Sequence, residues 1–148
     1  MRLHHVAALF TLVLLSFSGA AADIRVRMMT QASDGQTLVF EPMFIKAKVG
    51  DTITFEPMQK AGHTSISVFE PVGATPWKAQ PDSKITVKME KQGIYLVECN
   101  MHKMMGMVAV VQVGKPVNLE EAKKRAEEES AKMMTHKERF AQLLSMVK

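Results

Sequence analysis

Between Asp23 and Val113 the chain is written almost entirely in short runs whose apolar residues recur every second position. IRVRMM (24–29), FIKAKV (44–49), DTITF (51–55), TSISVF (64–69), KITVKME (84–90), GIYLVEC (93–99) and MVAVVQV (107–113) are separated by Gly35, Gly50, Gly62, Pro71–Gly73, Pro76, Pro81 and Gly93. A period of two sends alternate side chains to opposite faces of an extended strand, so each run has one face to bury. The runs are too short for helices, and glycine or proline stops each one. Seven to eight short strands at this spacing predict an all-β sandwich or barrel, and about 90 residues suffice to bury its core.

After Gly114-Lys115-Pro116 the pattern changes. Asn118 followed by Glu121 has the form of a capping box and opens a helix over NLEEAKKRAEEESAK. Thr135 followed by Glu138 opens a second, with Phe140, Leu143, Leu144 and Val147 at i, i+3, i+4 and i+7. These two C-terminal α-helices need an apolar surface to lie on. Ile94 and Leu96 offer part of one, because Tyr95, Val97 and Cys99 point to the other side of their strand. The charge run 120–129 reads as a solvated face.

Before Asp23 stands an export signal. Arg2, His4 and His5 precede the apolar stretch VAALFTLVLLSFS, and Ala20-Ala21-Ala22 supplies a cleavage site. The expected layout is therefore 1–22 signal peptide, 23–114 sandwich and 115–148 helical extension. No stretch approaches the ~20 apolar residues of a membrane span, so a monomer outside the cytoplasm without membrane insertion is expected. Only Arg2 among the charged residues lies before Asp23, which leaves 18 basic against 15 acidic side chains in the remainder. That mild excess excludes a nucleic-acid binder and suits an acidic protein partner.

Chemistry concentrates in VECNMHKMMGMVAVVQV, where Cys99, Met101, His102, Met104, Met105 and Met107 fall within nine residues. Cys99 is the chain's only cysteine, so in an oxidising compartment it forms no internal disulfide. With Cys99 ending one strand and Met107 beginning the next, the connecting loop presents Cys99, His102 and Met107 together. His63, after Gly62 and before TSISVF, is the candidate fourth ligand; His136, placed in the first turn of the second helix, fits worst. Met43, Met58 and Met89 read as core.

Two imidazoles, a thiolate and a thioether select one copper ion in the blue-copper arrangement, whereas structural zinc sites rarely recruit methionine. Met105 competes with Met107 as the axial ligand through its H-x-x-M spacing, but Gly106 lets the chain turn from Met107 directly into a strand. With every coordination position filled by protein, nothing is open to a reactant, and an electron carrier rather than an enzyme follows. The alternative is a copper-trafficking or copper-storage protein, which the abundant methionines favour. A Cys99–histidine hydrolase lacks an orienting third group and an oxyanion hole.

LVFEPMFIKAKVGDTITFEP, KAGH and GIYLVECNMHKMMGMVAVVQVG resemble the early strands, the first ligand and the ligand loop of the pseudoazurins, and the two terminal helices extend the resemblance along the rest of the chain. These are small periplasmic blue copper proteins with the cupredoxin-like Greek-key β-sandwich. The resemblance implies copper held by His63, Cys99, His102 and Met107, with the exposed edge of His102 as the electron port. It implies a c-type cytochrome as donor and a periplasmic reductase, such as copper nitrite reductase, as acceptor. Met101, Met104 and Leu38 are expected around the port, with Lys60 and Lys103 on its rim. Thr64, Asn100, Met101 and Glu98 depart from the usual Asn, Thr, Pro and Lys. Thr64 and Asn100 look like an exchanged pair that keeps one hydrogen bond across the site.

Overall fold

The computed structural model describes residues 20–148, so most of the expected signal segment lies outside the described residues. Eight strands form two four-stranded sheets, ordered β2-β1-β4-β6 and β3-β8-β7-β5. The first holds β1 (Asp23–Gln31), β2 (Thr37–Glu41), β4 (Thr52–Pro57) and β6 (Ile85–Lys88); the second holds β3 (Phe44–Ala47), β5 (Ile66–Phe69), β7 (Gly93–Glu98) and β8 (Val108–Val113). β1 runs parallel to β4, and β3 runs parallel to β8; the remaining pairs are antiparallel. This is the expected sandwich, with β2 supplying the eighth strand. Its residues show no alternation, because Leu38-Val39-Phe40 is a continuous apolar triplet, cut short by Glu41-Pro42.

The inner faces meet in one core. Val26, Met28, Phe40, Ile53 and Phe55 from the first sheet pack against Ile45, Tyr95, Val97, Ala109, Val111 and Val113 from the second, with Trp77 and Met89 closing the sides. Phe55 stacks on Trp77 at 5.9 Å and takes Phe40 edge-on. β7 and β8 are buried at every position because their outer residues Ile94, Leu96, Val108 and Val110 form a second apolar cluster. The helical layer covers it with Ala122, Ala126, Met133, Phe140, Leu143 and Leu144. Period two thus assigned Ile94 and Leu96 to one side and Tyr95, Val97 and Cys99 to the other as observed.

The helices themselves begin differently from expectation. α1 spans Leu119–Ala131, but Asn118 makes no side-chain cap bond. Its amide instead accepts from Ile94 N–H at 2.7 Å and donates to the Ile94 carbonyl at 3.1 Å, tying the helix start to β7. β5 pairs with β7 only from Leu96 onward, so the backbone groups of Ile94 on that side need another partner and take the side chain that a capping box would use. α2 is short, Arg139–Leu144, so Thr135 does not open it and His136 precedes it with φ +54°. The charge run is solvated on one side only. Glu129 is buried and pairs with Arg125 and Lys132. Met89 is core and Met43 partly so, but Met58, expected in the core, is about half exposed because it follows β4 into a turn.

Among the described residues no helix is long and apolar enough to cross a membrane. Phe140 is fully enclosed between the helices and the sheet. Phe140→Ala should cost about 3–5 kcal/mol in chemical denaturation. It should leave the visible spectrum of the metal-loaded protein unchanged, since the Phe140 ring belongs to the outer apolar cluster and supplies no ligand-type atom to the His63–Cys99–His102 group.

Candidate metal centre

Cys99 and Met107 follow and precede the two strands that are buried on both faces. Cys99 N–H donates to the Met107 carbonyl at 2.9 Å, so the ladder of β7 and β8 closes across the loop that joins them. Inside the loop His102 N–H donates to the Cys99 carbonyl at 3.1 Å, and Lys103–Met105 form a single 3-10 turn. Gly106 ends that turn at φ +70°, and a Cβ there would come within 2.7 Å of His136 Cβ. Only glycine meets both demands. The turn carries Met107 into the core with no exposure, whereas Met105 stays 42 % exposed.

His63 arrives from the β4–β5 connection, held by a turn on the opposite side. The Asp82 carboxylate accepts N–H bonds from Ala61, Gly62 and His63 at 3.2, 3.0 and 3.0 Å, and Asp82 N–H donates back to the His63 carbonyl at 2.7 Å. Burial alone would raise the Asp82 pKa, but these donors and the His63 ring outweigh it and hold the carboxyl below its ordinary value. Two residues on, Trp77 donates its indole N–H to Ser65 Oγ at 3.0 Å and pins the segment to the core.

The ligand-type atoms of His63, Cys99 and His102 all lie within 4.8 Å of one another. Cys99 Sγ is 3.4 Å from His102 Nδ1, and the two imidazole rings are 5.1 Å apart, tilted by 58°. His63 and Cys99 are fully buried; His102 alone reaches the surface. Burial, reinforced by the His102 ring, holds the His63 pKa below the ordinary histidine value and favours the neutral form that carries a free lone pair.

Two observations test the fit to a metal. His63 Nε2 pairs with Thr30 Oγ1 at 3.0 Å, yet His63 Nδ1 is buried with no hydrogen-bond partner. Buried nitrogens are seldom left so, and a cation beside it would satisfy the lone pair. The donor set is the second. Thiolate and imidazole suit copper, and the sulfur is prepared for charge by Thr64 N–H at 3.3 Å and Thr64 Oγ1 at 3.7 Å. The Thr64 hydroxyl also accepts from Asn100 N–H at 2.8 Å. The bond across the site is therefore made by the Thr64 side chain and the Asn100 backbone. Residue 100 contributes no side chain to it.

Glu98, where the pattern led to no specific role, is buried and reaches Lys103 Nζ at 3.7 Å. Burial raises its pKa, with Lys103 opposing. Met101, Met104 and Lys60 are exposed as expected, and Leu38 and Lys103 partly so. His136 is not part of the cluster. It packs behind Gly106, and its ring stands near Glu138.

A buried thiol and two imidazoles at one end of a two-sheet Greek-key sandwich define a small copper protein of the cupredoxin class. The profile of copper binding proteins of the plastocyanin/azurin family matches residues 26–114. The pseudoazurin of Paracoccus pantotrophus is 36% identical over 124 residues, covering 81% of this chain and 85% of its own. The crystal structure of pseudoazurin from Methylobacterium extorquens AM1 superposes with a TM-score of 0.72 at 32% identity, covering 85% of this chain and 99% of that one. Native pseudoazurin from Hyphomicrobium denitrificans gives 0.65 at 39% identity, covering 76% and 99%. The chain belongs to the plastocyanin/azurin family of copper-binding proteins, and within it to the pseudoazurins. It is accordingly a blue copper electron carrier and not an enzyme.

Thr64→Val should separate the two tasks of that hydroxyl. Loss of the Asn100 bond should cost about 0.5–1.5 kcal/mol in urea unfolding. Loss of a donor to sulfur leaves the thiolate a stronger electron donor, which stabilises the oxidised metal, so voltammetry should show a lower reduction potential. Thr64→Ser should restore both.

Proposed function

We propose that His63, Cys99, His102 and Met107 hold one copper ion, and that the mature chain shuttles electrons in the periplasm after removal of residues 1–22. The donor in this reading is a c-type cytochrome, and the acceptor a reductase such as copper nitrite reductase. The observation that carries the ligand assignment is the buried, unpartnered Nδ1 of His63 beside Cys99 and His102. Burial of Met107 and exposure of Met105 favour Met107 for the fourth position.

Bound there, copper supplies a one-electron couple between Cu(I) and Cu(II). The protein's part is to keep the donors in one arrangement for both charges. Cys99 is locked by backbone bonds on either side and by Thr64, and His63 by Asp82 and Thr30. Such restraint limits rearrangement when an electron arrives. It also argues against the trafficking alternative, because release of the ion would require opening two fully buried ligands. His102 alone of the clustered ligands reaches solvent, so its ring is the route out. The surface beside it, with exposed Met101 and Met104, sheds water readily against a partner.

Cys99→Ser should abolish the intense visible absorption of the copper-loaded protein, because that band arises from charge transfer out of the thiolate. A protein that stays blue would refute the assignment. Met107→Leu should shift spectrum and potential more than Met105→Leu; the reverse order would make Met105 the fourth residue holding the metal.

Docking should respond weakly to salt. The net charge is small, and Lys103 spends part of its charge on Glu98. Stopped-flow rates with an acidic partner should fall by less than about tenfold from low to physiological ionic strength. Lys103→Glu should slow association, whereas an apolar replacement of Lys124, exposed on α1, should not.

A further inference from the structure

Arg139 is the first residue of α2, and its side chain is buried at 6 % exposure. Nη1 donates to the Gly106 carbonyl at 2.7 Å and to the Leu38 carbonyl at 3.1 Å, and Nη2 to the Thr37 carbonyl at 3.4 Å. Each of these acceptors is a neutral backbone oxygen. Two of the three residues bonded, Leu38 and Gly106, have left-handed backbones at φ +51° and +70°. For leucine that conformation carries strain, which persists only where surrounding contacts impose it. Burying a guanidinium without a carboxylate is also costly, and burial lowers its pKa despite Glu138 nearby. A fold that only needed a helix start would not place a cation there.

What the cation joins explains its position. Gly106 immediately precedes Met107, and Leu38 belongs to the strand expected at the His102 port. The α1–α2 connection grips the same loop from outside, with Met134 and Thr135 N–H donating to the Met104 carbonyl at 2.8 and 3.3 Å. We propose that Arg139 is a positioning residue of the copper centre, fixing the Gly106 turn against β2 so that Met107 enters the core at one set place. The inference rests on the reading that Met107 would be the fourth ligand of the copper ion. Met107 follows the clamped carbonyl by one peptide unit, so a loosened turn moves the thioether before it moves Cys99 or His102.

The test uses the full copper-loaded chain with Arg139→Gln and Arg139→Lys, and Phe140→Ala as a control that destabilises the outer apolar cluster while keeping the Arg139 side chain. Electronic absorption, EPR and voltammetry are recorded for each. Arg139→Gln should change the ratio of the thiolate-to-copper bands and the EPR rhombicity, and should lower the potential, since a nearby positive charge that favours the reduced metal is gone. Arg139→Lys should change the band ratio less, because one ammonium bonds the carbonyls without the planar fork that spans both segments. If Arg139→Gln does not fold, Arg139→Lys decides the matter. An Arg139→Gln spectrum identical to that of the unaltered protein, or, should that variant not fold, an Arg139→Lys spectrum identical to it, would overturn the proposal, as would an equal change in Phe140→Ala. In a Met107→Leu background the spectral effect of Arg139→Gln should vanish. If Met107→Leu alone leaves the spectrum unchanged, the ligand assignment has failed. If Met107→Leu changes it and the Arg139 effect persists undiminished, the clamp does not act through Met107.

Discussion

The bond from Cys99 N–H to the Met107 carbonyl is the interaction on which the remainder of the molecule converges. It ends the β7–β8 ladder and starts the loop, so residues eight positions apart in sequence stand opposite one another at the mouth of the core. For that bond to hold a fixed geometry, both strands must be immobile. They are, because apolar side chains cover them on both faces. The inner face is covered by the opposite sheet, and the outer by two helices that contribute no donor to the His63–Cys99–His102 cluster. Burial by side chains that supply no ligand therefore serves the chemistry of those that do.

A complementary restraint acts on the first histidine. Its segment is extended backbone between β4 and β5, with no ladder of its own at His63. Asp82 replaces the missing ladder by accepting three successive N–H groups, and Trp77 adds a side-chain anchor at Ser65. Two different devices thus serve two halves of the site: sheet pairing for Cys99, and a carboxylate-centred turn for His63. Thr64 links them through its bonds to Cys99 Sγ and Asn100 N–H. This linkage is why a single threonine bears on both stability and metal electronics.

Much of this was legible from local pattern. Alternation located most of the strands, and it told apart the two faces of β7, because side-chain direction along a strand depends only on position. The candidate donors were legible because cysteine, histidine and methionine at that density have few structural uses. What escaped were residues whose roles depend on distant chain. Asn118 and Glu121 have the local form of a cap, but the start of β7, which extends beyond its β5 partner, captures the amide. Glu129 sits in a charged run, yet its position on α1 turns it inward. Arg139 follows Lys137 and Glu138 and reads as one more solvated charge. Two of its three acceptors, Thr37 and Leu38, lie about a hundred residues away.

The grip of the α1–α2 connection on residues 104–106 bears on how such a chain can change over generations. A loop that projects freely into solvent gains or loses residues at little expense, and metal-binding loops exposed in that way are open to drift in length. Here the carbonyls of Met104 and Gly106 are already engaged, and the Gly106 Cα lies against His136. An inserted or deleted residue between Cys99 and Met107 would unseat all of these partners at once. The helical layer acts as a template for loop length, so a substitution there disturbs fewer of these bonds than an insertion would. The β1–β2 turn is the contrasting case, because a side chain added at Gly35 would meet no other atom within 4 Å and extra residues there would disturb only the turn's own bonds.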